Sequence, residues 1–264
     1  MTSITNWLKA NKLSLNTSKT KAILFHTPQR RVQHPELYID NVKVNFVDEF
    51  NFLGVILNEN LKWNSHVDMV AKKISKTLGI MRKLKNTLPL NTLLNIYNAL
   101  ILSYLNYGNI IWGDRGKKLF TIQKKAVRII SKSNYNSHTN PLFKKLNILK
   151  FPDLCALHDL KFCYKFGNDM LPKYFSSNLF FRFPVFQQRV TRQSQTLPLP
   201  AVSHDFAKNS ISYKFPKTFN NVDVSIKMKI DTHSFNGFKT YIKTNYIESY
   251  PTDCNIPNCP SCSN

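Results

Sequence analysis

Residues 52–66, FLGVILNENLKWNSH, change character halfway through. Phe52 to Leu57 is apolar apart from Gly54 and reads as a buried strand. Lacking a Cβ, the glycine would let a neighbour approach closely. A polar turn and a lone Trp63 follow. From Asn64 the apolar period lengthens to that of a helix, with Val67, Val70, Ala71, Ile74, Leu78, Met81 and Leu84 in step. Lys72, Lys73, Lys76, Arg82 and Lys83 take the other faces. A strand tied directly to a basic amphipathic helix predicts an α+β fold: a small antiparallel sheet, then a helical bundle.

On the N-terminal side, 3–11 predicts a short amphipathic helix, with Ser3 as cap and Ile4, Trp7 and Leu8 as its apolar face. A strand is expected over 21–25. A hairpin is expected around Asp40-Asn41, a pair that tolerates positive φ. On the C-terminal side, Leu88-Pro89 restarts the chain. Residues 90–105, LNTLLNIYNALILSYL, are apolar nearly all round and predict the buried centre of the bundle. A helix over 117–132 sets Leu119, Ile122, Ala126 and Ile129/Ile130 opposite Lys117, Lys118, Lys124, Lys125 and Arg128. Helices near 139–147 and 153–168 follow. From 176 to 232 prolines multiply and no period is sustained, so loose extended chain is expected, before a last helix at 234–248. The divisions are 1–60, 61–175 and 176–264.

The charge narrows the function. Lys+Arg number 37 against 15 Asp+Glu, a net +22 in 264 residues, with a pI near 9.8. Such an excess repels itself unless a polyanion neutralises it, and nucleic acid is the first candidate. No stretch reaches the ~18 apolar residues of a spanning helix, so no membrane partner is expected. MTSITNWLKANK lacks the apolar core of a secretory signal, and the five cysteines are odd in number. The expectation is an intracellular protein, nuclear or cytoplasmic, with reduced thiols.

Chemical motifs are sparse. The seven glycines form no phosphate-binding loop, and no nucleophilic triad is recognisable. Two-metal phosphoryl transfer needs clustered carboxylates. The single adjacent acid pair, Asp48-Glu49, reads as a solvated loop. The basic helices carry more weight. Lys72, Lys73 and Lys76 share a broad face, and so do Lys124, Lys125 and Arg128. One apolar stripe and one basic face let a helix pack on a core and track a phosphate backbone. Tyr104, Tyr107 and Trp112 have the rings to stack on bases, although core packing accounts for them better. In the tail, Cys254, Cys259 and Cys262 have a spacing that suits zinc, with His233, Cys155 or Cys163 needed as a fourth ligand.

Several stretches, in order, resemble the C-terminal part of non-LTR (LINE-type, jockey-like) retrotransposon reverse transcriptases. WLKANKLSLNTSKTKAILF is similar to the family's WL..N.L.LN..KT...F, and FNFLGVILNENLKWNSHV to its FLGV.LD..L.W..H. LPLNTLLNIYNALILSYLNYGNIIWG resembles LP...L..LY..L..P.L.YG...WG, and IQKKAVRII resembles LQ.KA.R.I. KNSISYKFPKTFNN and SFNGFKTYIKTNYI are similar to two late segments. Asn58, Ser103 and Phe219 depart from the family's acid, proline and tryptophan.

The resemblance implies roles. Lys19 would be an accessory lysine near the leaving pyrophosphate. Phe52, Leu53 and Gly54 would form a primer-grip hairpin, and Trp63 and His66 would anchor the start of the thumb helix. Lys72, Lys73, Lys76, Arg82, Lys83, Lys124, Lys125 and Arg128 would lie near a template–primer duplex, an RNA–DNA hybrid. The family's catalytic aspartates precede the region matched from Met1 onward. The chain is therefore expected to lack fingers, most of the palm and polymerase activity of its own. Magnesium belongs only to the intact enzyme, and no cofactor is expected here beyond zinc in the tail. A stand-alone binding module or a zinc-ordered interaction protein are the alternatives.

Overall fold

The computed structural model describes residues 2–16, 19–29, 32–39, 42–178, 196–202, 208 and 210–252. The chain divides into two compact units, Met1–Val70 and Ala71–Asn264. The fold is mixed α and β, as the patterning predicts.

The first unit opens with α1 (Thr2–Ala10). Its strands form three separate two-stranded ladders, not one sheet. β1 (Lys21–Ala22) pairs in parallel with β4 (Asn45–Phe46). β2 (Tyr38–Ile39) and β3 (Val42–Lys43) pair antiparallel, the hairpin expected around Asp40-Asn41; the turn pair itself lies outside the described residues. β5 (Glu49–Phe52) and β6 (Val55–Asn58) form the longest ladder, in the register Glu49↔Asn58 to Phe52↔Val55. Strands of two residues present too little edge to recruit a third. Val47 N–H to the Ala22 carbonyl continues the β1–β4 ladder, Glu59 N–H to the Asp48 carbonyl continues the β5–β6 ladder, and His26 N–H to the Glu59 carbonyl ties the segment after β1 to the end of that hairpin.

The buried strand expected over 52–57 is instead a hairpin folded at its own Leu53-Gly54. Both residues have positive φ, 48° and 82°, the geometry of a type I′ turn. Its twist matches that of the flanking strands, which is why a two-residue connection closes here. The tip is open to solvent, with Phe52 55% and Leu53 73% exposed. The core of this unit gathers elsewhere, from Ile39, Val44, Trp63, Val67 and Val70.

α2 (Asn64–Leu84) begins in the first unit and ends in the second. In the second unit it buries Ala71, Ile74, Leu78 and Met81 of the predicted stripe, while Leu84, at the helix end, is exposed. α3 (Leu90–Tyr97) passes into a π-helical turn at Asn98–Leu102 and then α4 (Ser103–Asn106). Leu93, Tyr97, Ile101 and Leu105 are its fully buried residues, spaced four apart. At 3.6 residues per turn such a spacing would spiral off the core; the wider i→i+5 turn holds it on one face. The Ser103 hydroxyl donates to the Ala99 carbonyl within this turn (2.6 Å). This helix is not buried all round as expected, since Leu90 and Leu100 are 44% and 48% exposed.

α5 (Asn109–Trp112) and a 3₁₀ turn at Gly113–Arg115 lead to α6 (Lys117–Ile130), α7 (Asn140–Lys145) and α8 (Phe151–Gly167). α8 occupies the centre, packed against α4, α5 and α6 and, from the C-terminal region, α10 (Ile211–Asn220), α11 (Val224–Thr232) and α12 (Phe235–Glu248). The close approach of α8 requires Gly113, where a Cβ would meet Cys155 Sγ at 2.6 Å. Gln123, fully buried, ties three elements. Its Nε2 donates to Tyr97 Oη (2.8 Å) and to the Leu149 carbonyl (2.9 Å), and its Oε1 accepts from Phe151 N–H (2.7 Å).

The helices α10 and α11 correct the expectation of loose chain up to 232. α10 contains Pro216, whose missing N–H and ring clash cost about 3 kcal/mol inside a helix. Packing outweighs that cost. Phe215 sets its ring edge-on to Phe162 (5.6 Å) and Phe166 (5.3 Å) of α8, and Phe219 is fully buried. Lys214 Nζ then reaches Asp159 (3.2 Å), Asp114 (3.1 Å) and the Ile110 carbonyl (3.1 Å). Burial raises the Asp159 carboxyl to about 6 despite the opposing pull of Lys214. Burial opposes the charge on Lys214, but the two carboxylates outweigh it and its pKa rises. α9 (Lys173–Asn178) lies between α8 and residues outside the described set.

Candidate nucleic-acid interface

In the first unit the predicted contact residues sit at an exposed hairpin with a fixed base. Trp63 and His66 are buried. His66 Nδ1 accepts from the Ile56 N–H (3.3 Å), and Ser65 Oγ donates to Glu49 Oε1 (2.5 Å). Asn58 Oδ1 accepts from the Lys62 N–H (2.6 Å) and holds the turn into α2. Glu49, half of the lone acid pair, thus has a structural job. At the tip, Phe52 and Leu53 are exposed to solvent. Lys19 is exposed in the turn after Asn16, whose Oδ1 accepts its N–H (3.1 Å).

In the second unit α2 presents the basic face. At about 100° per residue, Lys72, Lys76 and Lys83 fall within about 40° of one another, opposite the buried stripe. All three are exposed, as are Lys73 and Arg82 on the flanks. The line runs about 16 Å along the helix. Lys73 Nζ stands 5.2 Å from the centre of the Tyr104 ring.

α6 departs from its expected pattern. Lys124 and Arg128 are buried, 3% and 6% exposed, and only Lys125 of the trio is half-exposed. The long stems of these cations carry their heads along apolar surface to aromatic and carbonyl partners. Lys124 Nζ lies 4.7 Å from the Phe120 ring centre. Arg128 Nε donates to the Ser137 carbonyl (2.9 Å), and its guanidinium lies 5.9 Å from the Tyr135 ring. The structure nonetheless brings Arg82 of α2 to Lys125 and Arg128 of α6, around a depression of about 230 Å³ that Lys85, Ser133 and Tyr135 complete. No carboxylate lines it among the described residues. Lys85 was legible in sequence only as one more charge in KLK; Ser133 and Tyr135 lie in a loop without periodicity and carried no signal.

Of the candidate stacking rings, Trp112 is fully buried and donates its indole N–H to the Tyr107 carbonyl (3.0 Å), whereas Tyr107 is 54% exposed. Cys254, Cys259 and Cys262 lie outside the described residues. The partners considered for them are placed: Cys155 and Cys163 are buried in α8, and burial pushes both thiols up, Cys155 to about 12. His233 hydrogen-bonds through Nδ1 with Thr232 (3.1 Å). Among the described residues no three His, Cys, Asp or Glu side chains are placed to hold a metal ion, and no helix is long and apolar enough to cross a membrane.

No family model and no solved structure matches the sequence. The sequence is similar to the probable RNA-directed DNA polymerase from transposon X-element of Drosophila melanogaster, with 26% identity over 164 residues. That alignment covers 59% of this chain and 18% of the relative, so the chain spans under a fifth of that protein's length. The chain is thus a distant relative of a transposon-encoded protein of that description.

Proposed function

We propose that this chain is a template–primer-binding part of a non-LTR retrotransposon reverse transcriptase, corresponding to the end of the palm, a primer-grip-like hairpin and a helical thumb. It holds RNA–DNA hybrid, and the catalytic aspartates are supplied by other parts of such an enzyme. The observation that carries this reading is the line of Lys72, Lys76 and Lys83 on the solvent face of α2, flanked by Lys73 and Arg82. A duplex of A-like form offers a wide, shallow minor groove bordered by phosphates and 2′-hydroxyls, which a basic helix meets without reading sequence. The similarity to an RNA-directed DNA polymerase supports the choice of nucleic acid over other polyanions.

The test is hybrid affinity across a salt series. Each phosphate neutralised contributes about −0.9 to the slope of log K against log salt. The triple variant Lys72→Ala/Lys76→Ala/Lys83→Ala is expected to flatten the slope by about 2–3, with little dependence on sequence. A flat slope in the unmodified protein would sink the reading.

A further inference from the structure

A second cleft, of about 450 Å³, opens in the helical body between the π turn, α8 and α12. Its size falls in the roughly 300–1,000 Å³ range of small-molecule sites. Its floor is apolar, built from Leu102, Leu154 and Leu157. Lys161 of α8 and Lys239 and Lys243 of α12 reach the same cleft, the last two one helical turn apart. No carboxylate lines it among the described residues.

Three observations make this more than a solvated charge run. Burial lowers the Lys161 pKa, and Lys239 and Lys165 lower it further, so the cations here act on one another. His158 is pulled down to about 4, by burial first and then by Lys161 and Lys239; it is neutral at pH 7, with Nε2 3.0 Å from Asn106 Oδ1. Positive charge is therefore gathered here without a carboxylate to answer it. The third observation is the π turn, which brings both Asn98 and Leu102 to the cleft. Such bulges are enriched at functional sites. The cleft thus joins an apolar shelf, amide hydrogen-bonding groups and a cationic mouth.

We infer that this cleft binds a nucleotide unit, its base on the leucine floor beside Asn98 and Asn106 and its phosphate at Lys161, Lys239 and Lys243. The choice of a nucleotide among phosphate-bearing ligands rests on the nucleic-acid reading above. The unit is either a free mononucleotide or the 5′-phosphorylated end of a single strand; the chemistry of recognition is shared.

Calorimetric titration of the full chain tests it with four probes: AMP, adenosine, inorganic phosphate and a 5′-phosphorylated oligoadenylate. AMP is expected to bind at least about tenfold tighter than adenosine or inorganic phosphate, and Lys239→Ala/Lys243→Ala to weaken it about tenfold or more. Lys239 is exposed and Lys243 half-exposed, so an unchanged melting curve is the control for folding. Leu102→Asn, at a half-buried position, is a second probe, expected to weaken AMP and leave phosphate unaffected, with the same melting-curve control. Tighter binding of the oligonucleotide than of AMP assigns the occupant to a strand end, and equal binding assigns it to a free nucleotide; both support the cleft. No AMP binding, AMP no better than phosphate, or an unaffected double variant overturns it. Hybrid binding lost in the α2 triple variant with AMP binding intact shows the two sites to be separate. Hybrid affinity without AMP affinity in the unmodified chain sinks the cleft alone.

Discussion

The two units use apolar residues in opposite ways. In the second, α8 buries Phe151, Leu154, Cys155, Leu157, Leu160, Cys163 and Tyr164 within one helix. In the first, ladders of two to four residues leave Tyr38, Val42, Phe50, Phe52 and Leu53 exposed, and a handful of residues forms the core. Substitutions should therefore act as stability losses in the helical body. At the hairpin they should touch backbone strain and contact with a partner.

The largest effect is expected at Gln123. Gln123→Leu leaves Tyr97 Oη, the Leu149 carbonyl and the Phe151 N–H without their shared partner, at roughly 1–3 kcal/mol for each buried group left unpaired. Chemical denaturation should show the loss; a change below about 1 kcal/mol would mean that the helical body is less tightly specified than its geometry implies.

Acid pH should sharpen the picture next. His158 has a depressed folded pKa, so its contribution is present above the unfolded value of 6.5 and is lost as pH falls towards about 4. Asp159 works the other way. Its raised folded pKa gives a contribution present below 3.8 and lost as pH rises through about 6. The two oppose each other over the same window. His158→Asn should remove the first, on the order of 3 kcal/mol at the full shift, and make the chain more tolerant of pH 4–6. An acid unfolding curve parallel to that of the parent would contradict the buried, neutral His158.

The smallest effect, and of opposite sign, belongs to the hairpin. Leu53 holds φ 48°, a conformation that Asn adopts more readily. Leu53→Asn should raise stability by up to about 1 kcal/mol while Phe52→Ala stays near neutral. Hybrid affinity should fall in both if the exposed tip touches nucleic acid. Stability lost at Phe52 on the scale of a core residue would break the contrast between the units.

Periodicity made the helical body legible where one face is buried. α2, α6, α8 and α12 lie close to where spacing put them, and the structure adds a cap, Ser234, whose Oγ accepts the Gly237 N–H (3.3 Å) at the start of α12. Composition alone read the hairpin as one strand, where the family resemblance implied a hairpin, because Leu-Gly is not the Asn-Gly signal of a type I′ turn, and Leu at positive φ is held there by the flanking pairs. α10 was missed because Pro216 punctuates a short segment, and the aromatic contacts that offset it lie far away in sequence, at Phe162 and Phe166. For the interface, the run on α2 was readable because its lysines lie opposite an apolar stripe. Lys124 and Arg128 were not, since a helical wheel places Cα atoms and says nothing of where a long stem carries its charge.

The amino-acid sequence by itself determined the fold class, the basic character and most helix positions, because these depend on local period and composition. Tertiary structure alone decided which cations stay in water, why a proline survives in a helix, and that Lys161, Lys239 and Lys243 meet at one cleft. Each of those is a contest between desolvation and partners many residues apart, and only packing brings the contestants together.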